Sequence, residues 1–300
     1  MLPPAPPRLF ELAPDIRRLI APNPSPMTYW GTNTYLLGQR DVAVIDPGPT
    51  DATHCKAILD AVPSGGSISH IFVTHAHLDH SPGARDLAQA TGAMVHAFGP
   101  ATAGRSEVMT ALATEGFAGG GEGVDDAFIP DVILEDAQTV SSRDWDLTAL
   151  HTPGHMGNHL SFAWNDLCFC GDLVMAWSSS LVSPPDGDLT DFMASCERLK
   201  EGAYKALHPG HGLPIEDPAA RLDWLIQHRK SREQQILSAL TQAPGTAEAL
   251  AARIYTDIPP NLLPAAARNV FAHLIDLTGK AQVAPTTTLR FDAVFAKSKS

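Results

Sequence analysis

The chain has 300 residues, 44% of them hydrophobic, with 21 Lys and Arg against 33 Asp and Glu, giving a formal net charge of −12. That apolar content can bury a substantial core, which excludes a disordered or fibrous chain, and the length suits one large domain or a large domain with an appendage. Four irregularly spaced cysteines exclude a disulfide framework, no run of about 18 apolar residues exists to cross a bilayer, and the start MLPPAPPRLFELAPD lacks secretory and transit patterns, so a soluble, cytoplasmic protein is expected.

TYLLG (34–38) and VAVID (42–46) predict a hairpin, the second strand stopped by the turn signal Asp46-Pro47-Gly48. A helix follows over THCKAILDAV (53–62), then a strand over HIFVT (70–74) that runs into THAHLDHSPG (74–83). Ser81 before Pro82 predicts an N-cap followed by proline at the first helical position. The histidine-rich stretch therefore lies between the carboxyl end of a strand and a helix start, where layered α/β proteins keep their sites. The Gly-rich, acidic TEGFAGGGEGVDDAFIPD (114–131) has no periodicity and reads as a mobile loop, either a lid or a surface insertion.

Strands resume at LTALH (147–151), HLSFAW (159–164) and LCFCG (167–171), where Cys168 and Cys170 alternate as buried thiols on one strand face. A helix over 189–202 and a strand over YKALH (204–208) close a second strand-and-helix set. After Pro218 the texture changes. Residues 1–220 carry −16 and residues 221–300 carry +4, and the tail predicts helices over 221–242, 246–255 and 261–279 followed by a β-wing over 281–295. Three helices and a wing describe a winged-helix module, so units of 1–218 and 219–300 are expected.

The chemistry rests on four segments. His75, His77, Asp79 and His80 lie within six residues, and HTPGH (151–155), CGD (170–172) and HPGHG (208–212) each follow a strand and present His155, Asp172 or His211 in a turn. Alternate residues of extended chain point the same way, so His75 and His77 can share one ion, while the turn before Ser81 directs Asp79 and His80 toward a second. Imidazole with carboxylate suits Zn²⁺ with an open position for water. Two ions about 3.5–4 Å apart acidify a shared water and stabilise charge on the attacked centre. His54, His70, His96, His228 and His273 read as surface or satisfied core residues, whereas His151, His159 and His208 are near enough to support the ligands.

With these motifs assembled, the sequence resembles the metallo-β-lactamase superfamily over almost its whole length. The resemblance implies a four-layered αββα sandwich with a dinuclear zinc site, Fe or Mn being alternatives. It implies that His75, His77 and His155 hold one metal, that Asp79, His80 and His211 hold the other, and that Asp172 bridges both. Asp46 matches the family's early acidic position, which orients the ligand loop. GTNTYLLG (31–38), HTPGH, HPGHG, HRKSREQQIL (228–237) and the winged-helix tail are similar to the β-lactamase-like 2 group, whose members include a single-strand-specific endoribonuclease and acyl-carrier thioesterases. LVMAWSSSLVSPPDGD (173–188) stands where glyoxalase II has a Gly-Cys-Gly-Arg segment, which disfavours that enzyme.

The expectation is a dinuclear hydrolase acting through a metal-bridging hydroxide on an ester or thioester, with Asp79 and Asp172 in catalytic positions. Arg229, Lys230 and Arg232 keep single-stranded RNA open as the alternative substrate, against the −16 of the catalytic unit. Trp177 reads as a pocket-lining or a packing residue. Dimerisation, giving a homodimer, substrate capping and DNA binding are the roles open to the tail, although its third helix offers DNA only Arg268.

Overall fold

Residues 6–120 and 123–298 are described by the computed structural model. Seven strands lie side by side in chain order: β1 (Leu9–Ala13), β2 (Ile16–Ile20), β3 (Asn33–Leu37), β4 (Asp41–Ile45), β5 (Ser67–Phe72), β6 (Met94–Ala97) and β7 (Val132–Ile133). The first four pair antiparallel, and β4 to β7 run parallel. The parallel half needs crossovers, which α1 (Ala52–Asp60) supplies from β4 to β5 and α2 (Gly83–Thr91) from β5 to β6. A second sheet, ordered β12-β11-β10-β9-β8, comprises β8 (Thr139–Ser141), β9 (Asp146–His151), β10 (Leu160–Trp164), β11 (Leu167–Gly171) and β12 (Ala206–Pro209).

Strand alternation decides what each face covers. Tyr35, Leu37, Ala43, Ile45 and Phe72 point inward onto Leu147, Leu160, Phe162 and Phe169 of the second sheet. Their neighbours Leu36, Val42, Val44 and Ile71 point outward onto Ile58 of α1 and Leu87 of α2. Cys168 and Cys170 leave the second sheet on its outer face, toward Phe192 and Leu199 of α4 (Leu189–Glu201) and Leu222 and Leu225 of α5 (Pro218–Gln242). The layers are therefore αββα, and each fully buried large side chain contributes about 1.5–3 kcal/mol through lost apolar surface.

The rest of α5 joins another core. Ile236 and Leu240 pack with Leu250 of α6 (Ala247–Ile254), with Phe271 and Leu274 of α7 (Leu263–Gly279), and with Val283 and Phe295 from the hairpin of β13 (Val283–Pro285) and β14 (Phe295–Lys297). Met109 and Leu112 of α3 (Glu107–Thr114), a helix capped by Ser106, reach the same core. One long helix thus serves both hydrophobic clusters.

Three local expectations are corrected. β5 ends at Phe72 because the Thr74 N–H donates to Asp46 Oδ1 at 2.7 Å rather than to a ladder. Ser81 is not the N-cap of α2: Pro82 holds that position without a side-chain cap, and Ser81 Oγ donates instead to Asp125 Oδ2 at 2.8 Å. Residues 121 and 122 of the Gly-rich stretch lie outside the described residues, but part of that stretch is tied down. Val124 bridges to His77, and the Asp125 N–H donates to the Ala76 carbonyl at 2.9 Å.

α1 carries a buried histidine with a measurable consequence. His54 Nε2 meets Thr34 Oγ1 at 2.9 Å, and burial pushes its pKa down to about 4. The unfolded chain then binds the extra proton below pH 6.5, so this stabilisation is present above 6.5 and lost as pH falls toward 4, up to about 3 kcal/mol. Urea unfolding should show the wild type losing more stability than His54→Gln across that window; equal losses would contradict the assignment.

Candidate metal centre

Every metal-capable side chain singled out above sits at one end of the sandwich, on a strand end or the turn after it. His75, His77 and His155 offer nitrogen atoms all within 4.8 Å of one another, and Asp79, His80, Asp172 and His211 form a second such group. All seven are buried. Asp172 reaches both groups: its Oδ2 lies 3.2 Å from His211 Nε2 and 3.7 Å from His155 Nε2, and its Oδ1 lies 3.4 Å from His80 Nε2.

The outer atoms of the rings are held by the protein. Asp46, whose backbone takes the left-handed φ of 51°, accepts from the Thr74 N–H and hydroxyl at 2.7 Å each and from His80 Nδ1 at 2.9 Å. His155 Nδ1 donates to the Leu181 carbonyl at 2.8 Å, and His211 Nδ1 donates to the Gly31 carbonyl at 3.2 Å. These bonds orient the rings and aim the opposite nitrogen of each inward, where it is a ligand once deprotonated. Gly210 is required where it stands, since a Cβ there would come within 2.3 Å of Asp172 Oδ1.

A cation fits what is left over. His80 Nε2 and His211 Nε2 stand 3.3 Å apart, each beside the Asp79 and Asp172 carboxylates. His75 Nε2 and Asp172 Oδ1 are buried with no hydrogen-bond partner, and His77 Nδ1 faces His155 Nε2 at 3.1 Å. Buried polar atoms without partners are costly, and lone pairs converging on one space repel unless a positive charge sits between them. Burial and the neighbouring His155 push His77 down to about 3, so it stays a neutral ligand. Against the cost of burial, Asp172 and Asp79 raise His211 to about 10, which reports a negative field that draws in cations. The histidine and aspartate groups are thus positioned to bind metal ions.

Supporting roles fell where sequence reasoning pointed only in part. His159 does support the site: its Nε2 accepts the Asp172 N–H at 3.2 Å. His151 bonds the Gly157 carbonyl and stacks on Phe98 instead, and His208 packs against Tyr35 and Phe169 with no ligand contact. His273 is buried, but neither ring nitrogen has a partner, so it is not a satisfied core histidine. GTNTYLLG proves to be the cradle of the last turn. Asn33 Nδ2 donates to the Pro209 and Gly212 carbonyls at 2.9 and 3.0 Å, and the Tyr35 hydroxyl donates to Pro209 at 2.8 Å, which holds His211 in place.

Two basic residues read as nucleic-acid contacts are engaged inside the protein. Arg268 donates to the Ala118 carbonyl at 2.8 Å and lies over Phe117. Arg229 is buried, with no carboxylate partner among the described residues. It donates to the Ser180 carbonyl and, at 2.9 Å, to Asn269 Oδ1, which also accepts the Val182 N–H. Between those contacts lies Leu181, whose carbonyl orients His155. Asn269→Leu is therefore expected to weaken metal binding about tenfold, at the low end of the range for groups that orient ligands. Metal titration with thermal melting checks it, since a purely structural role would lower stability and leave affinity unchanged.

Residues 27–211 match the metallo-beta-lactamase superfamily, and residues 246–287 match the beta-lactamase associated winged helix domain. The chain belongs to the metallo-β-lactamase superfamily. It is a metal-dependent hydrolase fold with a winged-helix tail. A "Beta-lactamase-like protein 2 homolog" of Drosophila melanogaster is 32% identical over 95% of this chain and 96% of its own length. An "Atrochrysone carboxyl ACP thioesterase" of Passalora fulva is 27% identical over 83% of this chain and 70% of its own. A β-lactamase domain protein from Burkholderia ambifaria shares the fold, with a TM-score of 0.79 at 20% identity over 98% of this chain and 95% of that one. No helix among the described residues is long and apolar enough to cross a membrane.

A cavity of about 300 Å³ opens on the metal-capable groups, lined by His77, Asp79, His155, Asp172 and His211 and then by Met175, Trp177 and Leu181. Trp177 lines this cavity, stacked on Tyr29 at 5.0 Å. A larger hollow of about 510 Å³ borders α2 but touches none of the seven metal-capable residues, so its size does not make it the reactive site.

Proposed function

We propose that the chain is a dinuclear zinc hydrolase of carboxylic esters or thioesters. The observation that carries this is the cavity lining: it joins the metal-capable residues to apolar and neutral polar side chains and, among the described residues, includes no lysine or arginine. A phosphodiester would bring negative charge into that space with no cationic side chain to meet it, whereas a neutral acyl carbonyl needs none. The thioesterase named among the relatives supports the same choice.

In this reading residues 1–218 are the catalytic unit, with 219–300 appended. His75, His77 and His155 would hold one ion, Asp79, His80 and His211 the other, and Asp172 both; imidazole and carboxylate donors favour zinc over harder metals. Bound there, the ions supply Lewis acidity that acidifies water and polarises the acyl carbonyl. Asp46 keeps the ligand turn and the His80 ring oriented, so little rearrangement is needed as charge develops. Asp79 and Asp172 present carboxylate oxygens to the cavity, where they can hold the proton released by the attacking water. Hydrolysis places the water oxygen on the acyl carbon, breaks the C–O or C–S bond, and returns a proton to the leaving group.

Zinc-loaded protein should be assayed in parallel on acyl thioesters, carboxylic esters, phosphodiesters and single-stranded RNA, with Asp172→Asn as the blank. Acyl turnover absent from the blank is expected. Cleavage of RNA alone would replace this reading with the nuclease one.

A further inference from the structure

The geometry points to the C-terminal helices as the acyl-selecting wall of the cavity, which makes the substrate an ester or thioester of a short, apolar acyl group. The choice of substrate rests on the acyl-hydrolase reading above; the wall itself does not.

Besides the metal-capable residues and the loop over 175–181, the cavity is lined by Tyr255, Ile258, Leu262, Ala265 and Ala266, from the segment after α6 and the first turns of α7. The appended tail, besides forming its own core, therefore helps to build the cavity. Its contribution is apolar and partly open: Leu262 is 42% exposed, and Ile258 and Ala265 are half-buried. The run Pro264-Ala265-Ala266-Ala267 keeps the α7 face small, leaving room where a larger side chain would fill it. Tyr255 is held by the Arg232 guanidinium 3.9 Å above its ring, so this wall is anchored.

Size sets the class. A volume of about 300 Å³ is at the small end for ligand pockets. At about 30 Å³ per water-sized group it holds about ten such groups, the reacting carbonyl and leaving atom included, which sets an upper bound of about eight acyl carbons. Each methylene moved from water to such a wall strengthens binding about fourfold until the space is full. Selectivity for chain length thus belongs to residues 44 to 55 positions beyond His211, the nearest metal-capable side chain in sequence.

The test uses zinc-loaded, full-length protein and saturated acyl thioesters of two to twelve carbons on one thiol. In parallel, calorimetry measures binding of the matching carboxylates, the hydrolysis products. Wild type should gain about fourfold in kcat/KM and in affinity per methylene up to about eight carbons, then level off. Ala265→Leu should move the optimum at least two carbons shorter and cut the eight-to-two-carbon ratio about tenfold, while Leu262→Ala should cut it about fourfold. If Ala265→Leu does not fold, the exposed Leu262 decides alone. Ratios equal to wild type in the folded variants overturn the inference, and so does binding that is flat with chain length. Graded binding blunted by the variants, with no acyl compound turned over, would leave the wall standing and remove the hydrolase reading instead.

Discussion

Asp172→Asn is expected to lower acyl turnover by more than about 10³-fold while leaving the fold in place, the scale seen when a principal electrostatic element leaves an active site. Asp172 is the carboxylate within reach of both metal-capable groups, 3.7 Å from His155 on one side and 3.2 and 3.4 Å from His211 and His80 on the other. Asparagine has the same shape and fits beneath Gly210, so the packing is kept and the bridging charge is lost. Against the cost of burial, His211 and His80 hold Asp172 well below the usual carboxylate range, so the group being replaced is an anion at neutral pH. Steady-state kinetics with circular dichroism and elemental analysis check the result. Turnover within tenfold of wild type, with metal retained, would show that Asp172 is not the bridge.

Removal of metal should be as severe. Chelation is expected to abolish turnover and lower the melting temperature, and zinc should restore both, with elemental analysis finding close to two ions per chain. The physical reason lies in the inner atoms. His75 Nε2 and Asp172 Oδ1 are buried without a partner, and Asp79 and Asp172 bring two carboxylates together among buried histidines, an arrangement that a bound cation stabilises. An ion held at a thousand times its dissociation constant adds about 4 kcal/mol to stability. Affinity should fall as pH drops, because imidazole and carboxylate bind metal only when deprotonated. Full activity in protein carrying less than a tenth of an ion per chain would defeat the assignment.

Much of this was legible locally. Turn residues after apolar runs located the hairpin at 33–45, the strands at 146–171 and the four ligand-bearing segments, because period-two alternation and glycine or proline punctuation are written into adjacent residues. Where the signal was short or ambiguous the reading failed. β1 and β2 are short and carry no clean alternation, and Ser81-Pro82 has the form of a helix cap, whereas Asp125 competes for the Ser81 hydroxyl. Arg229 and Arg268 looked like solvent-facing charge, and only packing shows that they hold the loops over 180–182 and 118.

By itself the sequence determined the superfamily, the seven metal-capable side chains and the strand ends that carry them, since each depends on a few neighbouring residues. Tertiary structure alone decided which atoms converge, why Asn33 and Tyr35 are needed beneath the last turn, and that the tail lines the cavity. Those contacts join residues distant in sequence, 176 positions for Asn33 with Pro209 and 174 for Tyr35 with Pro209. Local periodicity carries no information about such pairs; they are selected by which faces must be buried and which buried polar groups must find partners.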